Sequence, residues 1–116
     1  MFEGHAILDD SRLFEMVGGD EEFIVEILEL YVQASGADVQ SLGSAVRTSS
    51  MDEAGRLAHT LKGASGNVGA DAMMALCQQI EAALKEGSEP QVIALEAKIQ
   101  HVFAQTVDRI QERIQS

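Results

Sequence analysis

The chain predicts an all-α fold: an antiparallel up-down four-helix bundle with an additional short N-terminal helix. Three observations carry that prediction. Apolar residues recur every three or four positions through four long stretches, as they do on one face of a helix. Helix-capping side chains open those stretches and glycines close them. The connections are short, and a single proline interrupts 116 residues. Consecutive helices must therefore turn back on one another and bury their stripes together. Length and pattern predict one domain over residues 1–116.

Asp9 and Asp10 can each cap a short helix over residues 11–17, which Gly18-Gly19 stops. Asp20 offers the next N-cap, with Glu21 and Glu22 in the first turn, where carboxylates favour the helix dipole. Ile24, Ile27, Leu28, Tyr31, Val39, Leu42 and Val46 follow at helical spacing, and Gly36 or Gly43 is where this long second helix is expected to bend. Ser50-Met51-Asp52-Glu53 has the form of a capping box and predicts the start of a third helix, ended by Gly69. The fourth runs from about residue 71 to 86 with Met73, Leu76, Cys77, Ile80 and Leu84 on one face, and Gly87 stops it. Pro90 opens the fifth, whose apolar positions are Leu95, Ile99, Val102, Phe103, Thr106, Ile110 and Ile114. Met16, Met51, Met73 and Met74 are read as packing and helix-start residues.

Eight Lys+Arg against 19 Asp+Glu leave a net charge of −11. No basic patch exists to neutralise phosphates, which excludes nucleic acid as a partner and disfavours an anionic membrane. One cysteine, Cys77, allows no intrachain disulfide, and its place on the core face makes it a small buried hydrophobe. Met1 to His5 has no basic and apolar leader, and no apolar run reaches the roughly 18 residues of a membrane span. The protein is expected to be cytoplasmic and monomeric. No metal site is expected, because the His and Glu spacings of bundle metal centres are missing. There is no Gly-x-x-x-x-Gly-Lys-[Ser/Thr] loop for a nucleotide.

The third helix carries the functional signal. With about 100° of rotation per residue and Leu57 at zero, Leu61, Ala64 and Val68 all fall within about 40°, whereas His59 falls near 200°. His59 is thus predicted to be exposed, opposite the core stripe. Around it at i−4, i+3, i+4 and i+7 stand Gly55, Lys62, Gly63 and Gly66. Each glycine in an exposed helix interior costs about 1 kcal/mol relative to alanine, a cost that solubility does not require. What glycine offers is clearance for another protein to approach the helix. Lys62 sets a cation beside the imidazole, disfavouring its protonated form and drawing an anionic group. A neutral imidazole is a nucleophile, and the anion most often carried on histidine nitrogen is phosphoryl.

The run Ala58-His59-Thr60-Leu61-Lys62-Gly63-Ala64-Ser65-Gly66-Asn67-Val68-Gly69 resembles the signature of histidine-containing phosphotransfer (HPt) domains. Leu13-Phe14-Glu15-Met16-Val17-Gly18-Gly19-Asp20 is similar to the family's lead-in helix and turn, and Leu76-Cys77-Gln78-Gln79-Ile80-Glu81 to its next helix. The resemblance implies a phosphorelay intermediate: His59 accepts a phosphoryl group from a receiver-domain aspartate and passes it to an aspartate of another response regulator. It also implies that Lys62 neutralises the phosphoryl charge and that Gly63, with Gly55 and Gly66, admits the partner. Some members place a glutamine of the following helix on the active histidine. Here Gln78, Gln79 and Glu81 are the candidates, and the sequence leaves the choice among them open. Partners are then receiver domains of response regulators or a hybrid sensor histidine kinase. No cofactor belongs to this chain, the receiver domain being expected to bring Mg2+. With no nucleotide loop to charge it, the protein is expected to be a phosphocarrier and not an enzyme.

Two rivals are weighed beside this reading. One is a helical adaptor that binds a signalling partner through the same face without being phosphorylated; the intact His59, Lys62 and Gly63 set argues against it. The other is a metal-dependent bundle enzyme, disfavoured by the missing ligand pairs. A lone exposed histidine is ordinarily just surface, which is the reading given to His5 and His101; the surroundings of His59 set it apart. An initiating Met and a complete bundle favour a free-standing protein over the end of a larger sensor kinase.

Overall fold

The computed structural model describes residues 5–115; residues 1–4, on which most of the expectation about an N-terminal leader falls, and 116 lie outside them. Among the described residues five helices follow one another: α1 (Ser11–Met16), α2 (Glu21–Arg47), α3 (Met51–Val68), α4 (Asp71–Lys85) and α5 (Glu89–Gln115). The four long helices pack in a ring in which α3 lies between α2 and α4, and α5 closes it against α2 and α4. Their stripes meet in one core: Ile24, Leu28 and Leu42 of α2, Leu57 and Leu61 of α3, Met73, Leu76 and Ile80 of α4, and Val92, Ile99 and Ile110 of α5 are buried. Leu13 of α1 plugs one end. Among the described residues no helix is long and apolar enough to cross a membrane.

Local chemistry explains most helix ends, and in places it differs from the expectation. Asp20 caps α2 by accepting from the Phe23 amide at 3.2 Å. At α1 the working carboxylate is Asp9, which accepts from both the amide and the hydroxyl of Ser11. Helix α3 begins where the capping box predicts, but the box itself does not form. Ser50 makes no side-chain cap and instead shares a hydrogen bond with the Thr48 hydroxyl, while Glu53 is drawn one turn on to the Arg56 guanidinium at 2.7 and 2.8 Å. A bidentate charged partner outcompetes a single backbone amide.

Neither Gly36 nor Gly43 interrupts α2, which runs unbroken through 27 residues. Both glycines face α5. A side chain at Gly36 would touch the Phe103 ring, and one at Gly43 would crowd Gln100 and Glu96 at 3.2 Å. They let two long helices approach closely. Met16, expected to pack, is 70% exposed, because α1 ends there and turns its buried face through Leu13.

Gly69 shapes the turn between α3 and α4. Its φ of +81° is left-handed, a conformation that glycine adopts without strain, and it lets the Ala70 amide reach back to the Ser65 carbonyl at 2.8 Å. The N-terminal segment straps this turn: the Asp9 amide donates to the Gly69 carbonyl, and the Ala72 amide to the Ala6 carbonyl, both at 2.8 Å. His59 lies ten residues before Gly69 and Glu81 ten after Asp71. At 1.5 Å rise per residue the two side chains stand level, about 15 Å from the turn.

Candidate functional site

His59 projects from the middle of α3 with 73% of its side chain exposed. The backbone beneath it is rigidly seated. Ala58 and Leu61 are buried on either side, and Ser65 is fixed by a 2.7 Å hydrogen bond to the buried Tyr31 hydroxyl of α2. That bond ties α3 to α2. Desolvation holds the Tyr31 phenol well above its ordinary pKa, so it stays neutral.

Of the three candidates on α4, the structure brings Glu81 to the imidazole. Its Oε2 lies 3.1 Å from His59 Nδ1, and its Oε1 lies 2.6 Å from Lys62 Nζ. Gln78 is exposed elsewhere on α4, and Gln79 lines a groove between α4 and α5. The Lys62 ammonium, with a smaller contribution from His59, holds the Glu81 carboxyl below the usual carboxylate range. An ionised carboxylate only accepts, so Nδ1 must be the protonated ring nitrogen. In the neutral imidazole the lone pair is then on Nε2.

Two expectations change here. The Lys62 cation stands one turn from the imidazole as expected, but Glu81 reaches across from α4 and pairs with both. The three glycines also divide. A side chain at Gly63 would meet nothing within 4 Å, whereas at Gly66 it would press the Met74 sulfur at 3.0 Å and at Gly55 it would touch Leu84 at 3.4 Å. Gly55 and Gly66 therefore serve the close packing of α3 on α4, and Gly63 alone leaves open surface next to His59. No group of residues that could hold a metal ion occurs among the described residues. Cys77, one turn before Glu81, is buried, and burial pushes its thiol up to about 12.

One surface feature joins Ile27, which the sequence places on the α2 stripe, to two apolar neighbours that the stripe does not include. Phe23, Ile27 and Leu30 recur at i, i+4 and i+7 on α2; Phe23 and Leu30 are exposed and Ile27 half-buried. They lie on the side of α2 away from Gly36, Gly43 and α5, and so next to α3. Phe14 of α1, also exposed, extends the same end of the molecule. The signal was present, because Phe23 and Leu30 sit at helical spacing just off the core stripe.

The site is thus an exposed imidazole anchored through one nitrogen on a helical bundle, with a cation and an open glycine one turn away. The family model of the Hpt domain matches residues 26–113, most of the chain, and the protein belongs to the Hpt domain family. Comparison with curated proteins and with solved structures gave no match. Hpt domains are phosphocarrier modules of two-component phosphorelays, and they interact with receiver domains and kinases.

Proposed function

We propose that His59 carries the phosphoryl group, accepting it on Nε2 from a receiver-domain aspartate and passing it to an aspartate of another response regulator. The single observation that carries this reading is the Glu81 contact. It engages Nδ1 of an exposed histidine and so leaves the lone pair of Nε2 for attack. His5 and His101 are exposed too, yet neither stands within the motif.

The chain supplies a nucleophile and a docking face. The receiver domain brings the reacting aspartate and its Mg2+, so positioning and charge stabilisation come largely from the partner. Docking over His59 places a partner across α3 beside open Gly63, with the exposed Phe14, Phe23 and Leu30 flanking on α1 and α2. Such a surface suits a transient interface that serves donor and acceptor in turn. Lys62 lies one turn from His59 and can exchange its Glu81 partner for phosphoryl oxygens.

Incubation with a phosphorylated receiver domain tests the reading. The wild type is expected to take up acid-labile, alkali-stable phosphate, and His59→Ala none, with its helicity intact by circular dichroism. Full labelling of His59→Ala would overturn the assignment. Binding of the receiver domain without any labelling of the wild type would favour the adaptor instead.

A further inference from the structure

We propose that Glu81 is a positioning residue that keeps the proton on His59 Nδ1 while phosphate is on Nε2, and thereby shortens the life of the phosphohistidine. The proposal rests on the reading of His59 as the phosphoryl carrier and adds what decides how readily the group leaves.

The geometry is that of a carboxylate used at both ends. Lys62 alone would be satisfied by Oε1; the second oxygen is turned onto the imidazole at 3.1 Å. The Lys62 contact orients the carboxylate and keeps it ionised, so Oε2 faces Nδ1 as an anion. From α3, the titratable groups facing Glu81 are His59 and Lys62. From α4 itself they are Cys77 one turn before, buried and held as a thiol, and Lys85 one turn after. Among the described residues no ion pair joins Glu81 to α5.

The consequence follows from the electrons. On loading, the Nε2 lone pair forms the N–P bond while the P–O bond to the donor aspartate breaks and leaves its pair on that carboxylate. With Nδ1 still protonated the ring carries a positive charge. On unloading, a new P–O bond forms to an acceptor aspartate or to water, and the N–P pair returns to Nε2. If Nδ1 has kept its proton, the leaving group is neutral imidazole; if it has lost it, the leaving group is imidazolate, a far poorer one. In hydrolysis, water supplies the oxygen, and its protons pass to phosphate and solvent. A carboxylate facing Nδ1 holds the proton through a charge-assisted hydrogen bond, whereas an amide in the same place offers a neutral one.

The test loads the protein with phosphoramidate, a small-molecule donor to histidine, and follows phosphohistidine decay by 31P NMR between pH 5 and 9. The His59 signal is the one missing from His59→Ala, and phosphate on exposed His5 and His101 is an internal reference. In Glu81→Gln the His59 signal is expected to survive about fivefold longer at pH 8, roughly the difference between a charge-assisted and a neutral hydrogen bond. The difference should narrow toward pH 5, where solvent supplies protons in both proteins, and Glu81→Asp should move back toward wild type. The reference signals should not change. Equal decay of wild type and Glu81→Gln at every pH, or faster decay in the variant, would overturn the proposal while leaving His59 as the carrier. A wild type that loads only His5 and His101 would overturn the reading of His59 itself.

Discussion

Gly63 offers the sharpest separation of stability from function. It sits inside α3, four residues after His59 and on the same face, and a Cβ added there meets nothing within 4 Å. Alanine at this position should therefore recover the helix propensity that glycine forfeits, about 1 kcal/mol, with no steric debt to set against it. For urea unfolding with an m value of about 1–3 kcal/mol/M, that moves the midpoint up by about 0.3–1 M. The measurement is ellipticity at 222 nm against urea, with m unchanged. A larger replacement, Gly63→Leu, should keep the fold but stand where a docked partner meets the helix, and the rate of transfer to a receiver domain should fall tenfold or more. Gly66→Ala is the control: Met74 must move aside, so little or no stability is gained. A lower midpoint for Gly63→Ala would refute the open surface, and an unchanged transfer rate for Gly63→Leu would refute the close approach.

Two further outcomes test the frame that holds the site. Gly69→Ala should lose about 2–3 kcal/mol in the same urea assay, because a Cβ there collides with the Asp9 carbonyl in a left-handed conformation and breaks the strap on the α3–α4 turn; a loss under 1 kcal/mol would show that the strap is dispensable. The Cys77 thiol, pushed up to about 12 by burial, should resist alkylation at pH 8 in the native protein and react within minutes in urea. A folded pKa above the ordinary thiol value means that stability is complete below about pH 9 and is lost as pH rises toward 12. Rapid native labelling would contradict that burial.

Much of this fold is legible in the residues. Asp20 with Glu21 and Glu22 announces α2, Gly69 and Gly87 close α3 and α4, and the apolar spacing of Leu57, Leu61 and Val68 sets one face of α3 against the core. These features are local, since a cap or a stripe is decided within a few residues. The misreadings arose where a distant group competed. The contact of Gly36 and Gly43 with α5 has no local signal, and Met16 looks like packing until α1 ends beneath it. Ser50 and Glu53 have capping-box spacing, but Arg56 offers Glu53 a stronger partner.

The site divides in the same way. Helical rotation about 100° per residue suffices to put His59 outside and Leu61 inside, so the exposed histidine, its cation and its glycines are properties of the sequence of α3 alone. Which α4 residue reaches the imidazole is not such a property. Gln78, Gln79 and Glu81 point in different directions from one helix, and the choice among them depends on how α4 is rotated and set in height against α3. That is fixed by the Gly69 turn, by the close seats at Gly55 and Gly66, and by the burial of Leu76 and Ile80 in the shared core. Only tertiary packing, which spends its energy on burying those apolar side chains, brings a carboxylate level with His59 and makes Lys62 one end of a three-residue chain.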